Sequence, residues 1–531
     1  MQFRSILWFF FLTFVLSSAN AYKILVYTPQ NGRSQVSYLG HLADILVDAG
    51  HDVTVLLVGI NPDVSLHGTE KAKVVTIPAE ENVAAHFKDD NYIANTWTLN
   101  AGNPFGQRRF VLDYAQTLVD QCESTVKQTE VLKELKSQKF DLLIHELFDH
   151  CQLGIMQMLE IEKHVALQST VLFEAVAETL GIAYSPSITP AVFATAGSNM
   201  TIFEKIINLI QVTIGKEFIN TMFFGEQEIF ERVLRDKYVP FQEKIDSASF
   251  VFTNSDPLLD FPHNTNPRVI EMGGVAVKKP KALSEKWKSI LEERDTAVLI
   301  SFGSVAKSYT MPDELKSAFV EMFSQFPQFT FIWKYEKEDT NFLRGLNNVH
   351  TGEWIPQNDI LEHPNLKLLI SHGGMNSMLE TAHRGVPVIV VPLFADQMRN
   401  AKMMERVGSG LDFNRFNLGN SVKLTEAVRK VLMETRYTKA AKRIAAMISE
   451  RPVDLQNTFV RHVEFAAKFG PMENMVSTLP HSSFISFYMI DVFTVLVLLF
   501  IFLLLLHFCI IRTVLRCICS RRKMKTKSKI V

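Results

Sequence analysis

Cysteine is scarce in this chain, with five in 531 residues. Five cannot build a disulfide framework, so the fold must rest on an apolar core. Charge is nearly balanced at a formal −1, but it is unevenly spread: residues 512–531 hold eight Lys or Arg and no acid, which leaves −9 on the remainder. A body of that sign excludes nucleic acid as a partner. There is no short-period repeat and no low-complexity segment. There is no Walker loop either, because Gly303-Ser304-Val305-Ala306-Lys307-Ser308 lacks a glycine before its lysine. No acidic pair stands at metal-ligand spacing, so no metal is expected. What remains is 47% hydrophobic and 21% charged, a mostly globular chain long enough for roughly two to four domains.

Both ends read as membrane-directed. Arg4 supplies an early charge, Ile6 to Leu16 is apolar, and Ala19-Asn20-Ala21 fits a small-x-small cleavage site. Residues 1–21 are therefore expected to be a secretory signal; an uncleaved anchor is the alternative, but the apolar run is short for a span. From Val492 to Ile511 all residues are apolar except Thr494 and His507, about 30 Å of helix and one hydrocarbon core. The basic residues 512–531 follow, so the tail is expected in the cytosol and everything before the span in the lumen or outside the cell. The closing Lys527-Ser528-Lys529-Ile530-Val531 resembles a dilysine retrieval signal of the endoplasmic reticulum; juxtamembrane charge for anionic lipid is the other reading. Of the cysteines only Cys122 and Cys151 fall in the mature luminal part, and nothing in the sequence requires them to pair. Asn199-Met200-Thr201 is a glycosylation sequon in a stretch that should be an exposed loop.

Between the ends, short apolar runs alternate with helical spacing. Lys23 to Tyr27 and Val53 to Val58 read as strands around a helix from Leu39 to Ala49, with a loop before it through Gln35. Phe140 to Ile144 and Phe250 to Thr253 read likewise. A second series follows Lys278-Lys279-Pro280-Lys281: Ala297 to Phe302, Phe329 to Lys334, Leu366 to Ser371 and Pro387 to Val391. Two α/β domains in tandem are expected, at 22–277 and 285–437, with helices at 438–469 packing back across them. Ligands of open parallel sheets sit outside the carboxyl ends of the strands, so the cleft between the domains is the default site.

At one such strand end stands Leu368-Leu369-Ile370-Ser371-His372-Gly373-Gly374-Met375-Asn376-Ser377. The glycines admit close approach of a ligand, unpaired N–H groups near Asn376 and Ser377 can hold an anion, and His372 adds a donor. The stretch reads as a phosphate cradle.

Its flanks are Trp354-Ile355-Pro356-Gln357 upstream, then Glu380, Gly385-Val386-Pro387 and Pro392-Leu393-Phe394-Ala395-Asp396-Gln397 downstream. From Trp354 to Gln397 this resembles the signature of the UDP-glycosyltransferases, and most the animal (nematode-like) UDP-glucuronosyltransferases. The ends fit that family too, so the resemblance covers nearly the whole chain. It implies a GT-B-like architecture of two Rossmann-like domains facing a cleft. It implies an inverting, metal-independent sugar transfer from UDP-glucuronate, or UDP-glucose, to a small lipophilic acceptor, as in detoxification. The UDP-sugar is a co-substrate and no cofactor is implied. Trp354 would stack on uracil, Gln357 bond the uridine and Glu380 accept the ribose hydroxyls. His372, Gly374, Asn376 and Ser377 would hold the diphosphate with Ser304, and Asp396 and Gln397 would bond the sugar. A helix N-terminus plus histidine can stabilise departing UDP without a cation. Arg399 could meet a uronate; the alternative is an ordinary surface arginine. Oligomeric state is left open.

One slot departs from the family pattern. The base is usually a histidine after the first strand, eight residues before an alanine of the first helix. Counting back from Ala43 gives Gln35. His41, six residues on, would lie roughly 9 Å along the helix. Glu146, closing Phe140-Asp141-Leu142-Leu143-Ile144-His145-Glu146, matches the acid that orients the base. Glutamine accepts no proton at neutral pH. Either acceptors arrive already ionised, or Glu146 or His41 is the base, or the protein is a catalytically impaired relative that binds UDP-sugar in a binding or regulatory role. A membrane-anchored receptor or chaperone for apolar ligands is the reading from another class.

Overall fold

The computed structural model describes residues 21–88, 96–98 and 103–527. The signal segment up to residue 20 and the last four residues of the dilysine-like tail lie outside them.

The first sheet has seven parallel strands in the order β3-β2-β1-β4-β5-β6-β7. They are β1 (Lys23–Gln30), β2 (Asp52–Gly59), β3 (Lys73–Ile77), β4 (Leu142–Glu146), β5 (His164–Gln168), β6 (Val251–Thr253) and β7 (Val269–Glu271). The second has six, in the order β10-β9-β8-β11-β12-β13. They are β8 (Ala297–Ser301), β9 (Thr330–Lys334), β10 (Val349–Gly352), β11 (Leu366–Ser371), β12 (Val388–Val390) and β13 (Gly410–Asp412). In both, chain order reverses beside the first strand, between β1 and β4 and between β8 and β11. Those reversal points open crevices at the carboxyl ends of the strands.

β1 outruns its apolar core because Thr28, Pro29 and Gln30 stay in register with Leu57, Val58 and Gly59. The next helix, α1 (Arg33–Asp48), corrects the expected loop through Gln35. It starts after Gly32, whose carbonyl accepts from the Val36 N–H. Val36 is fully buried and adds an apolar anchor one turn before Leu39. Gln35 therefore sits in a helix's first turn.

α2 (Pro104–Val126) packs against α3 (Ile202–Leu234), the long helix of a stretch from about 170 to 250 whose sequence is aromatic-rich and helical in pattern. Thr201 and Glu204 form a reciprocal capping box at its start, just past the exposed Asn199. A disulfide joins Cys122 on α2 to Cys151, 29 residues on. A loop of that length predicts about 3–4 kcal/mol of stabilisation. Cys122→Ser should lower the urea midpoint of the oxidised protein and leave the reduced wild type and the variant alike; an unmoved midpoint would contradict this.

Later in the chain, α4 (Met375–Arg384) follows β11, and α5 (Gln397–Arg406) precedes β13. α6 (Thr435–Ser449) packs on α4. α7 (Leu455–Phe469) then lies against the first sheet, where Phe459 meets Phe252 edge-on at 5.2 Å. Lys163 Nζ and Ser249 Oγ donate to the carbonyls of Ala467 and Gly470 at 2.6 and 2.7 Å, at its end.

The lobes are tied together by buried polar contacts. Arg399 is no surface arginine; it is 4% exposed and pairs at 2.6 Å with Asp260, itself buried. Arg406 donates to Leu259 O at 2.9 Å. Trp97, from the first half of the chain, packs edge-on against Phe302 at 5.1 Å and donates to Lys307 O.

The segment from Ser477 onward is a separate unit. Its long helix, α8 (Ile490–Lys527), contains a stretch, Ile490–Ser520, long and apolar enough to cross a membrane.

Candidate functional site

At the carboxyl end of β11, His372 stands between two glycine turns. A Cβ on Gly303 would come within 2.6 Å of the imidazole, and one on Gly374 within 2.8 Å. Gly303 also has φ +83°, a region that favours glycine. Only glycine at both places admits the ring. Burial, and then the nearby Lys334 charge, lower the His372 pKa to about 4. The ring is thus neutral at pH 7 and offers one N–H. Lys334, buried at the end of β9, donates to Gly303 O and pairs with Glu336 at 3.1 Å.

α4 begins beside this ring, with Gly374 as its cap and Met375, Asn376 and Ser377 in its first turn. Their backbone N–H groups have no partner within the helix. The Asn376 side chain is otherwise engaged: its amide donates to Ser34 O at 3.1 Å and accepts from Asn254 at 3.0 Å. It latches one lobe to the other, so what it offers a ligand is its backbone. One turn on, the Gln357 amide donates to Ser377 Oγ at 3.0 Å and to Glu380 Oε2 at 2.7 Å. Burial pushes the Glu380 carboxyl up to about 6, against the Gln357 bond that lowers it.

Across the cleft, the Gln35 amide donates to Glu146 Oε2, and the Ser169 N–H donates to Oε1 at 2.7 Å. Burial raises the Glu146 pKa; both bonds work against that rise. His145 points to the other sheet face, against His164 at 2.8 Å. His41 is half-buried among the charges of Lys278, Asp44 and Glu70, and burial lowers its pKa. Behind Glu146 lie Asp149 and Glu226, both buried and both raised, first by burial and then by neighbouring carboxylates.

Two cavities meet in the cleft. One, of about 460 Å³, is walled by rings of the first lobe, among them Phe87, Tyr114, Phe148, Phe193 and Phe218. The other, of about 420 Å³, is lined by Ser304, Trp354, Gln357, Asn376, Ser377 and Glu380. Arg33, Ser304, Lys334 and Trp354 border both. Trp354 is 59% exposed, with the Arg33 guanidinium 4.6 Å from its ring centre.

Asp396 and Gln397 line neither cavity, though Phe394 and Ala395 line the first. Asp396 accepts from Asn400 at 2.8 Å, and burial raises its pKa. Gln397 turns its carbonyl back onto the N–H groups of Leu393 and Phe394, at 2.9 and 3.1 Å, and so holds that loop. Gln35, Glu146, His372 and Gly374 also line neither cavity. Sequence reasoning missed Arg33, Lys334, Asn254 and the aromatic wall. The signal for the wall was the aromatic-rich stretch of helical pattern from about 170 to 250, which holds Phe173, Phe193 and Phe218.

A family model described as "UDP-glucoronosyl and UDP-glucosyl transferase" matches residues 23–528. A Caenorhabditis elegans protein with the provisional name UDP-glucuronosyltransferase ugt-55 is 32% identical, over 72% of this chain and 74% of its own. A second from that organism, provisionally UDP-glucuronosyltransferase ugt-50, is 29% identical over 89% of this chain and 92% of its own. Among solved structures, the spinosyn rhamnosyltransferase SpnG complexed with thymidine diphosphate is similar at a TM-score of 0.53 and 16% identity. It covers 83% of this chain and all of that one.

Proposed function

The chain belongs to the UDP-glucoronosyl and UDP-glucosyl transferase family, and on that premise we propose that it transfers a sugar, glucuronate ahead of glucose, from a UDP-sugar to a small lipophilic acceptor. In this proposal the reactants meet in the cleft between the two Rossmann-like lobes of the GT-B fold. The observation that carries the reading is the junction of two unlike cavities at Ser304 and Trp354, one aromatic and one lined by the first turn of α4.

In this reading uracil stacks on Trp354, worth about 1–3 kcal/mol, and Gln357 with Glu380 engages the uridine. The diphosphate lies against the N–H groups of α4, with Ser304, Gly374 and neutral His372 as neighbours. The acceptor enters from the aromatic cavity. Its oxygen attacks the anomeric carbon, the bond to the diphosphate breaks, and UDP leaves with the electron pair. The helix end and His372 stabilise that charge, so the reading calls for no cation. Asp396 and Gln397 approach the sugar only through the loop that they shape. Gln35 cannot take the acceptor's proton. Acceptors that arrive ionised need no base; for others Glu146 is the nearest carboxylate to that slot. The Gln35–Glu146 contact also favours a second reading, a relative that binds UDP-sugar without turnover.

The apolar stretch of α8 is taken as one membrane span, with both lobes in the lumen of the endoplasmic reticulum and Asn199 glycosylated. The test is conjugate formation by membranes carrying the protein, offered UDP-glucuronate or UDP-glucose with phenols, alcohols and carboxylic acids, read by mass spectrometry. Conjugates above an empty-membrane control are expected, falling by about 10²–10³ on His372→Ala. No conjugates, with UDP still raising the thermal midpoint, would favour the binding relative. No response to UDP would overturn the donor site and favour a receptor for apolar ligands.

A further inference from the structure

We infer that Arg33 is a carboxylate-recognition residue at the junction of the two cavities, an inference that rests on the assignment of those cavities to donor and acceptor. Three cationic side chains reach the wall of the aromatic cavity: Arg33, Lys307 and Lys334. Lys307 is paired with Asp63 at 2.5 Å and Lys334 with Glu336 at 3.1 Å. Arg33 has no ion pair among the described residues. Glu353, an acid on the same wall, is exposed and makes no salt bridge to it.

Its position is also held. Arg33 is the first residue of α1, and its guanidinium lies 4.6 Å from the centre of the Trp354 ring. A guanidinium over an indole face is attracted by the ring quadrupole and keeps its planar fork of N–H donors free at the edge. That fork matches a carboxylate in bidentate geometry. Two residues before it, both side-chain atoms of Asn31 are buried with no partner among the described residues, and Asn31 lines the same cavity. A donor fork and an unsatisfied amide therefore face one volume, where the reacting ends of the two substrates must meet.

Two reactants can bring that carboxylate: the uronate of the donor, or a carboxylic acid acceptor. The second would explain why Gln35 suffices two residues along, since a carboxylate has no proton to lose.

The test is equilibrium binding to the full-length protein in detergent, with wild type, Arg33→Ala and Arg33→Met, the last keeping the stem's packing on Trp354. The probes are two matched pairs, UDP-glucuronate with UDP-glucose and biphenyl carboxylate with phenylphenol, plus UDP alone. In at least one pair the carboxylate member is expected to weaken about ten- to hundred-fold in both variants. Its neutral partner and UDP should stay within about fivefold, a range set by the loss of a single exposed cation–π contact. A split in the nucleotide pair assigns Arg33 to the donor; a split in the biphenyl pair assigns it to the acceptor. Equal losses within both pairs, or none, would overturn the inference. If UDP fails to bind the wild type, the donor-site reading is what fails, and the biphenyl pair still decides Arg33.

Discussion

Gln35→His is expected to raise turnover of a neutral alcohol by about 10²–10⁴-fold, the usual contribution of a general base. Carboxylic acid acceptors should change by far less. The geometry favours the exchange. Gln35 is half-buried in the first turn of α1 with its amide on Glu146, and Glu146 is already held by Ser169. An imidazole there would find its orienting carboxylate in place. Activity on the alcohol should then follow a rising limb with pH, as the new histidine loses its proton. Initial rates for one alcohol and one carboxylic acid, in both proteins from pH 5 to 9, decide it. An equal gain on both acceptors, or no gain on the alcohol, would mean that Gln35 does not occupy the base slot.

UDP-sugar affinity should fall as pH drops through the Glu380 pKa, which burial sets at about 6, by up to about fourfold between pH 7.5 and 5.5. The ionised carboxylate can accept two ribose hydroxyls; protonation turns one of its oxygens into an O–H donor and removes part of that capacity. UDP-glucose is the suitable probe, because its diphosphate carries no titrating proton in this range. His372, lowered to about 4, stays neutral through most of the window and does not obscure the effect. Glu380→Gln should weaken binding about ten- to hundred-fold at pH 7.5 and flatten the pH dependence. Calorimetric titrations at pH 7.5, 6.5 and 5.5 on both proteins would show it. A flat wild-type profile, or a variant that binds as tightly, would remove Glu380 from the ribose.

How much of this was legible varies by element. Strands such as Val53 to Val58 and Leu366 to Ser371 were readable because they are long, apolar and bounded by turns. β3, β5, β7, β10 and β13 were not. Each spans three to five residues, and β5 buries His164 and Gln168 without any alternation to mark it. A strand covered on both faces has no polar side to betray it. α1 began a turn early because Val36, isolated among polar residues, is an anchor only once the sheet beneath it exists.

The cradle at His372 was legible because its parts are contiguous: strand, two glycines, helix start. So was the departure at Gln35, a matter of local spacing. The sequence by itself determined the family, the tandem α/β plan and the apolar stretch near its end. Only the tertiary structure decided that Gly303 must be glycine, because an imidazole 69 positions later fills its Cβ space. The same holds for the union of Cys122 with Cys151, the burial of Arg399 on Asp260, the gathering of rings from at least five segments into one cavity, and Arg33 alone among three cations without an ion pair among the described residues. Each depends on which distant surfaces meet, and local spacing carries no record of a meeting made by packing.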